Sequence, residues 1–425
     1  MTGPASLGRM VAQRRATVGL LVAAGCISYV DRAALSVGNT AVMASLGLSY
    51  TQMGWLLSVF AWAYLVCQIP MGLIADRTSA RSFLGVGLVV WSGAQIAFGL
   101  VGSVFGLFAC RALLGLGEAP LFLAGTRALV RWYPPQDRGA VIGLFNGSAA
   151  LGPALAPPLL LGIMAVWGWR GMSVAIGVAS LALAVVWIAF YRDPTAMHPT
   201  AEARRAFAAG SAAPPASVGP VVSGDLGYLL QRRATWVVTI GFAGVIYVTW
   251  LYGTWLPAWL EATQHVSARN AGLLSALPQI CGFVGCLAGG TLSDWLMRRG
   301  FSALDACRRP VVWAMLVAAV VTGLTALPLG LGLSMFLMAI ALFAGGLAMS
   351  CGWTLGTVIA SEHRVATLEA IQNTGGSFGG ALAPAVTGAL ADRFGSFGPS
   401  MLTACAVGIV CAGVYHFGLR SVEKP

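Results

Sequence analysis

The feature that most constrains this chain is a succession of apolar runs, each about 20 residues long, broken by short stretches in which arginine, proline and glycine collect. A run of that length matches the hydrocarbon thickness of a bilayer. With no water there to satisfy its backbone, such a segment must be an α-helix. Turn and charge signals place spans near 17–39, 51–75, 82–102, 105–130, 139–164, 171–191, 236–260, 271–294, 310–329, 331–357, 368–391 and 400–419. Only 9% of the 425 residues are charged, against roughly a quarter in a soluble domain. A water-soluble enzyme is thereby excluded, and the expected fold is an all-α integral membrane protein with 12 transmembrane helices.

The formal charge of +11 invites a nucleic-acid reading. The basic residues, however, sit in short clusters between apolar runs, as membrane topology requires. Placing both termini in the cytoplasm puts 20 of the 25 Lys/Arg in inner segments, counting Arg127 at the inner end of the fourth span, leaves three, Arg170, Arg269 and Arg393, outside, and leaves Arg32 and Arg111 within spans. That asymmetry sets the orientation. The residues before Ala16 lack a signal-peptide pattern, so the first span is expected to be retained. The single lysine, Lys424, cannot end a phosphate-binding loop, which excludes ATP-driven transport by this chain alone. Nine cysteines without a CxxC pair and four scattered histidines suggest neither disulfides nor a metal site. No cofactor is expected, and no nucleic acid.

The stretch 192–235 carries five prolines, several charges and many small residues, and reads as a cytoplasmic linker between two six-helix bundles, 1–191 and 236–425. Internal likeness supports duplication. Gly72-Leu-Ile-Ala-Asp76-Arg77 through Arg81 is echoed by Gly290-Thr-Leu-Ser-Asp294 through Arg299, at an offset of 218. Asn146 to Pro157 matches Asn373 to Pro384 at six of twelve positions, at an offset of 227. The two bundles are therefore expected to be pseudo-symmetric.

These loops and halves resemble the major facilitator superfamily. Within it, Tyr29-Val-Asp31-Arg32-Ala-Ala-Leu-Ser, Gln68-Ile-Pro-Met-Gly72, Arg111-Ala-Leu-Leu-Gly-Leu-Gly-Glu118-Ala-Pro and Arg131-Trp-Tyr-Pro134-Pro-Gln-Asp-Arg138-Gly are similar to the anion:cation symporter family. The resemblance covers essentially the whole chain. That family includes sugar-acid and aromatic-acid permeases and the vesicular glutamate and sialic acid transporters.

A charge at the bilayer centre costs roughly 3 kcal/mol on insertion scales, so Asp31, Arg32, Arg111 and Glu118 need a reason to be there. One reading is two structural ion pairs that fix helix packing. The functional reading starts from spacing. Ser28, Arg32 and Ser36 recur every four residues, a polar stripe suited to an aqueous path, while Asp31 lies about 100° around the helix and would face a neighbouring span, most simply the fourth. Arg111 and Glu118 are two turns apart on one face of that span, about 10 Å. Burial and a nearby guanidinium push a carboxylate's proton affinity in opposite directions, which suits proton exchange near neutral pH. Asp31 and Glu118 are accordingly the expected proton carriers and Arg32 the ligand for a substrate carboxylate. The family resemblance implies the same roles, with Arg111 modulating Glu118.

Facilitator sites lie near the midplane between halves, which makes Tyr29, Arg32, Tyr64, Gln279, Trp353, Asn373 and Ser377 candidate substrate contacts; for any one aromatic, packing is an equal alternative. Sugar-acid members carry a glutamine where this chain has Ala149, which points to a less hydroxylated acid. No basic residue occurs in 236–260, which points to one carboxylate rather than two. Asp76, Arg77, Arg81, Asp294 and Arg299 sit at inner span ends, where hydrogen bonds to facing helix termini could gate the transporter. Gly375-Gly-Ser377-Phe-Gly379 fits a hydrolase nucleophile pattern but lies in an apolar span, the wrong context.

The expectation is thus a proton-coupled importer of an organic monocarboxylate, monomeric, in a bacterial-type inner membrane and not an enzyme. The rival is a proton-coupled efflux antiporter of drugs or metabolites. A membrane sensor would need an appended domain larger than any segment here.

Overall fold

The computed structural model describes residues 4–133, 135–192, 223–359 and 365–419. Among them there are helices and no strands: α1 (Pro4–Val37), α2 (Asn39–Leu46), α3 (Tyr50–Arg77), α4 (Ala80–Leu100), α5 (Val104–Glu118), α6 (Pro120–Trp132), α7 (Pro135–Phe190), α8 (Ser223–Gln231), α9 (Arg233–Gln264), α10 (Ala268–Arg298), α11 (Ala303–Leu324), α12 (Leu331–Ile359), α13 (Val365–Phe394) and α14 (Gly398–Gly418). A helix overlies every span window read from the sequence. Among the described residues nine helical stretches are both long and apolar enough to cross a membrane, one of them running through α5 and α6.

The differences from expectation have local causes. Helix α7 holds both the fifth and sixth spans, with no loop between them. A kink at Gly168 separates the two, and its φ of 65° is open to glycine and strained for side-chain-bearing residues. Helix α11 begins seven residues before the expected 310, because Ser302 caps it, accepting from the Asp305 amide at 3.1 Å; Pro310 lies inside the helix instead of starting it. A short helix, α2, follows the first span and ends at Gly47 in the left-handed conformation. Helix α8 and the start of α9 fall within the expected linker, of which residues 193–222 lie outside the described residues.

The chain forms two compact units. The first comprises Met1–Ala34 and Val66–Ser217, the second Leu35–Leu65 and Val218–Pro425, so α1 and α3 each contribute to both. In the first unit α4 packs on α7 and α5, with Trp91 and Trp187 fully buried and Trp187 stacked on Tyr191 at 4.2 Å. Serines cap the tight turns: Ser79 accepts from Ser82 N and Ser103 from Gly106 N, which satisfies amides that a helix start leaves unpaired. Arg170 donates to the Val101 carbonyl at 2.7 Å, just past the end of α4.

In the second unit α9 packs on α13 and α14, and α12 on α10 and α11. Its core includes Phe242, Val245, Met315 and Tyr415. The segment 35–65 belongs to this unit through specific bonds. Ser36 Oγ donates to the carbonyls of Gly253 (2.7 Å) and Thr254 (3.0 Å), and Thr40 Oγ1 donates to Glu261 Oε1 (3.1 Å).

Candidate functional site

Helix α1 is apolar enough to be buried, and its periodicity aims Ser28 and Arg32 in one direction and Asp31 in another. Ser28 Oγ and Arg32 Nε both donate to Glu118 Oε2, each at 2.7 Å. Asp31 turns to the sixth span instead, where Ser180 Oγ donates to its Oδ2 at 3.0 Å. The fourth span is therefore not Asp31's hydrogen-bond partner. Its charges are nevertheless close enough to act on Asp31, as are those of Arg32.

Helix α5 ends at Glu118 for a covalent reason. Pro120 has no amide to bond to the Leu116 carbonyl, so the fourth span breaks beside its carboxylate and resumes as α6. Gly117 lets that break sit tight against α4, since a Cβ there would lie 2.6 Å from Trp91 N.

Exposure separates the charged groups. Asp31, Glu118, Ser28 and Ser180 have no solvent-accessible surface and Arg111 has 3%, whereas the Arg32 side chain retains 16%. Arg32 is thus the member that an incoming anion could reach. Its Cζ also lies 4.7 Å from the centre of the Tyr29 ring, which packs in a T-shaped contact with Phe122 at 6.4 Å. Asp31 Oδ1 and Glu118 Oε1 are buried with no hydrogen-bond donor among the described residues. The first unit therefore gathers Tyr29, Asp31, Arg32, Arg111 and Glu118 into one cluster and adds Ser28 and Ser180. Ser28 was legible as part of the four-residue stripe. Ser180 was not, because a lone serine in an apolar run gives no sign of its partner. The third member of the stripe, Ser36, is spent on the Gly253 and Thr254 carbonyls.

The remaining candidates belong to the second unit. Tyr64 is half-buried and stacked on Phe60 at 6.1 Å. Trp353 meets Phe242 edge-on at 4.9 Å. Gln372, fully buried, donates through Nε2 to the Gly352 carbonyl at 2.9 Å. That bond ties α13 to α12 one residue from Asn373 and one from Trp353. Asn373, Ser377 and Gln279 are each half-buried.

Of the loop residues, Arg81 donates through Nε to the Ile188 carbonyl at 2.8 Å, at the end of α7, and Trp187 Nε1 returns a bond to the Arg81 carbonyl. The side chains of Asp76 and Arg77 lie outside the described residues, as do those of Asn146 and Ala149. Asp294 and Arg299 are exposed, and the Arg299 guanidinium lies over Trp295 at 4.3 Å, so these two are not joined to each other. All nine cysteines are free thiols.

Residues 21–304 match the family model described as Major Facilitator Superfamily. The chain is 33% identical over 401 residues to a protein of Escherichia coli K12 named probable L-galactonate transporter, covering 94% of this chain and 88% of that one. It is 30% identical over 415 residues to the probable galactarate/D-glucarate transporter GarP of the same organism, covering 94% and 93%. Its fold is similar to the crystal structure of a bacterial homologue of the human lysosomal transporter Spinster in an inward-facing, occupied conformation, with a TM-score of 0.78, 19% identity and coverage of 96% and 97%. The chain belongs to the major facilitator superfamily and is a multi-pass membrane transport protein, not an enzyme.

Proposed function

We propose that this transporter imports an organic monocarboxylate together with protons, by alternating access, across a bacterial-type inner membrane with both termini in the cytoplasm. The observation that carries the reading is that Arg32, the reachable cation of the cluster, is held through Nε by the buried carboxylate of Glu118 at 2.7 Å. A guanidinium bound to one carboxylate is a poor receptor for a second. Protonating Glu118 cancels the competing charge and leaves the guanidinium fork for the substrate carboxylate, its best geometric match. Substrate binding and proton uptake are thus linked through one side chain. Asp31 supplies the second proton site, and Arg111, whose charge acts on both acids, modulates their exchange.

Relatives named for galactonate, galactarate and glucarate transport support an organic acid as substrate. The lack of any basic residue in 236–260 favours a single carboxylate. Tyr29 and Tyr64, with Gln279, Trp353, Asn373 and Ser377, are the proposed contacts to the rest of the molecule. Arg81 and its counterparts Asp76, Arg77, Asp294 and Arg299 are proposed to gate the inner end, and the transporter to work as a monomer.

The test is Glu118→Gln in proteoliposomes. Uptake driven by an imposed pH gradient should fall to background, while counterflow exchange, which needs no net proton movement, should persist. Gradient-driven uptake at the wild-type rate would overturn the reading.

A further inference from the structure

The sequence holds a third copy of the gating-loop element that duplication of the two halves does not require. Gly388-Ala-Leu-Ala-Asp392-Arg393 repeats four of the six residues of Gly72-Leu-Ile-Ala-Asp76-Arg77, at the end of the eleventh span. Under the orientation proposed above, on which this inference rests, the second and eleventh spans end on opposite faces of the membrane. This copy therefore lies outside.

Its aspartate has a definite task in the second unit. Asp392 Oδ1 accepts from the Tyr50 amide at 2.9 Å and Oδ2 from the Thr51 amide at 2.6 Å. The carboxylate thus caps the first turn of α3, more than 340 residues away in sequence, and satisfies two amides that begin a helix without internal partners. An anion there also complements the positive end of the helix dipole. The turn before α3 caps a different amide: Ser49 Oγ accepts from the Gln52 amide at 3.3 Å, and Gln52 Oε1 from the Ser49 amide at 3.0 Å. The partners of the Tyr50 and Thr51 amides come instead from α13.

The backbones are brought together by glycine. A Cβ at Gly388 would lie 2.2 Å from the Tyr50 carbonyl oxygen, and one at Gly54 would lie 2.5 Å from that of Pro384. Tyr50, Trp255 and Phe397 pack their rings around the contact, with centroids 5.3–5.8 Å apart. Trp255 Nε1 donates to the Pro384 carbonyl at 3.1 Å. The bonds from Ser36 and Thr40 to α9 continue the same seam.

We propose that Asp392 is the outer latch of the transporter, capping α3 while the outer ends of α1, α3, α9 and α13 are closed and surrendering the cap when they open. Burial favours the neutral acid, but hydrogen bonds from Thr51, Ser49 and Tyr50 outweigh it and hold Asp392 below the usual carboxylate range. A carboxylate so depressed stabilises the capped state above its free value near 4 and loses that contribution only as pH falls through the lower, capped value. The latch is therefore charged across physiological pH, in contrast to the proton-exchanging role proposed for Glu118. Opening it takes mechanical separation of α3 from α13, not titration.

Hydrogen–deuterium exchange on the full-length protein in lipid nanodiscs tests this, with Asp392→Ala and the isosteric Asp392→Asn. Loss of the cap should speed exchange by about fivefold, the worth of one helix N-cap, at amides 50–53. The same rise should appear at 36–42 and 253–261, to which the Asp392 carboxylate makes no hydrogen bond. Asp392→Asn keeps one acceptor and should give a smaller rise over the same three segments. A rise confined to 50–53 would make Asp392 a local helix cap and overturn the latch, as would no rise at all. The measurement uses neither substrate nor proton gradient, so its failure is separate from failure of the transport reading.

Discussion

Each of the two buried carboxylates holds one oxygen in hydrogen bonds and leaves the other bare. Ser180 holds Asp31 Oδ2, while Ser28 and Arg32 hold Glu118 Oε2. Asp31 Oδ1 and Glu118 Oε1 are the oxygens to which no described donor points, so each can take a proton without displacing a bond. Oriented hydroxyls thus fix which oxygen exchanges and which one anchors. A hydrogen bond to a charged group is worth about 1.5–3 kcal/mol. Ser180→Ala removes the described donor to Asp31, and gradient-driven uptake should fall roughly tenfold or more, with Ser180→Thr restoring most of it. Counterflow at a fixed pH should fall far less, a split that a merely misfolded variant would not give. The cluster's charged members were legible because ionised residues inside apolar runs are rare and costly. Its serines carry no such cost, and only tertiary structure reveals their partners.

At the scale of elements, hydropathy read the positions of the helices well and their joints poorly. Apolar length is a property of one segment, whereas a joint depends on a cap or a single glycine, as at Ser302 and Gly168. The arginines show the same limit. Their uneven distribution speaks to topology, but several also close helix ends. Arg81 bonds the Ile188 carbonyl, Arg127 that of Thr78, Arg170 that of Val101 and Arg308 that of Leu419. Cations at helix C-termini meet both the unpaired carbonyls and the negative end of the dipole. The joint that bears most directly on the site is at Gly117. With Trp91 N only 2.6 Å from any added Cβ, and the Gly117 carbonyl 2.7 Å from one added at Gly87, α4 and α5 touch through backbone. Gly117→Ala should overpack this crossing by about 1–3 kcal/mol. It should also tilt α5 where Glu118 begins its reach to Ser28. Thermal unfolding should show the lower stability, and gradient-driven uptake should drop along with it. Gly93→Ala, on the same α4 but with nothing within 4 Å of the added Cβ, is the control that should change neither.

At the scale of the whole molecule, the charge carried through one cycle follows from the number of proton sites and the valence of the solute. Two carboxylates each present an unoccupied acceptor oxygen in the first unit, and the second unit offers no basic residue in 236–260 to pair with a second substrate carboxylate. A monocarboxylate entering with two protons brings one net positive charge inward. An inside-negative membrane potential then drives uptake by itself, with about 2.3 kcal/mol available per elementary charge at 100 mV, or roughly a 50-fold accumulation ratio. Proteoliposomes given a potassium diffusion potential and no pH difference should therefore concentrate the substrate. Asp31→Asn leaves Glu118 as the single proton site and makes the cycle electroneutral, so any uptake it retains should respond to a pH gradient and ignore the potential. Equal response of the variant and the natural protein to the imposed potential would remove Asp31 from the coupling path and leave Glu118 as its only acid.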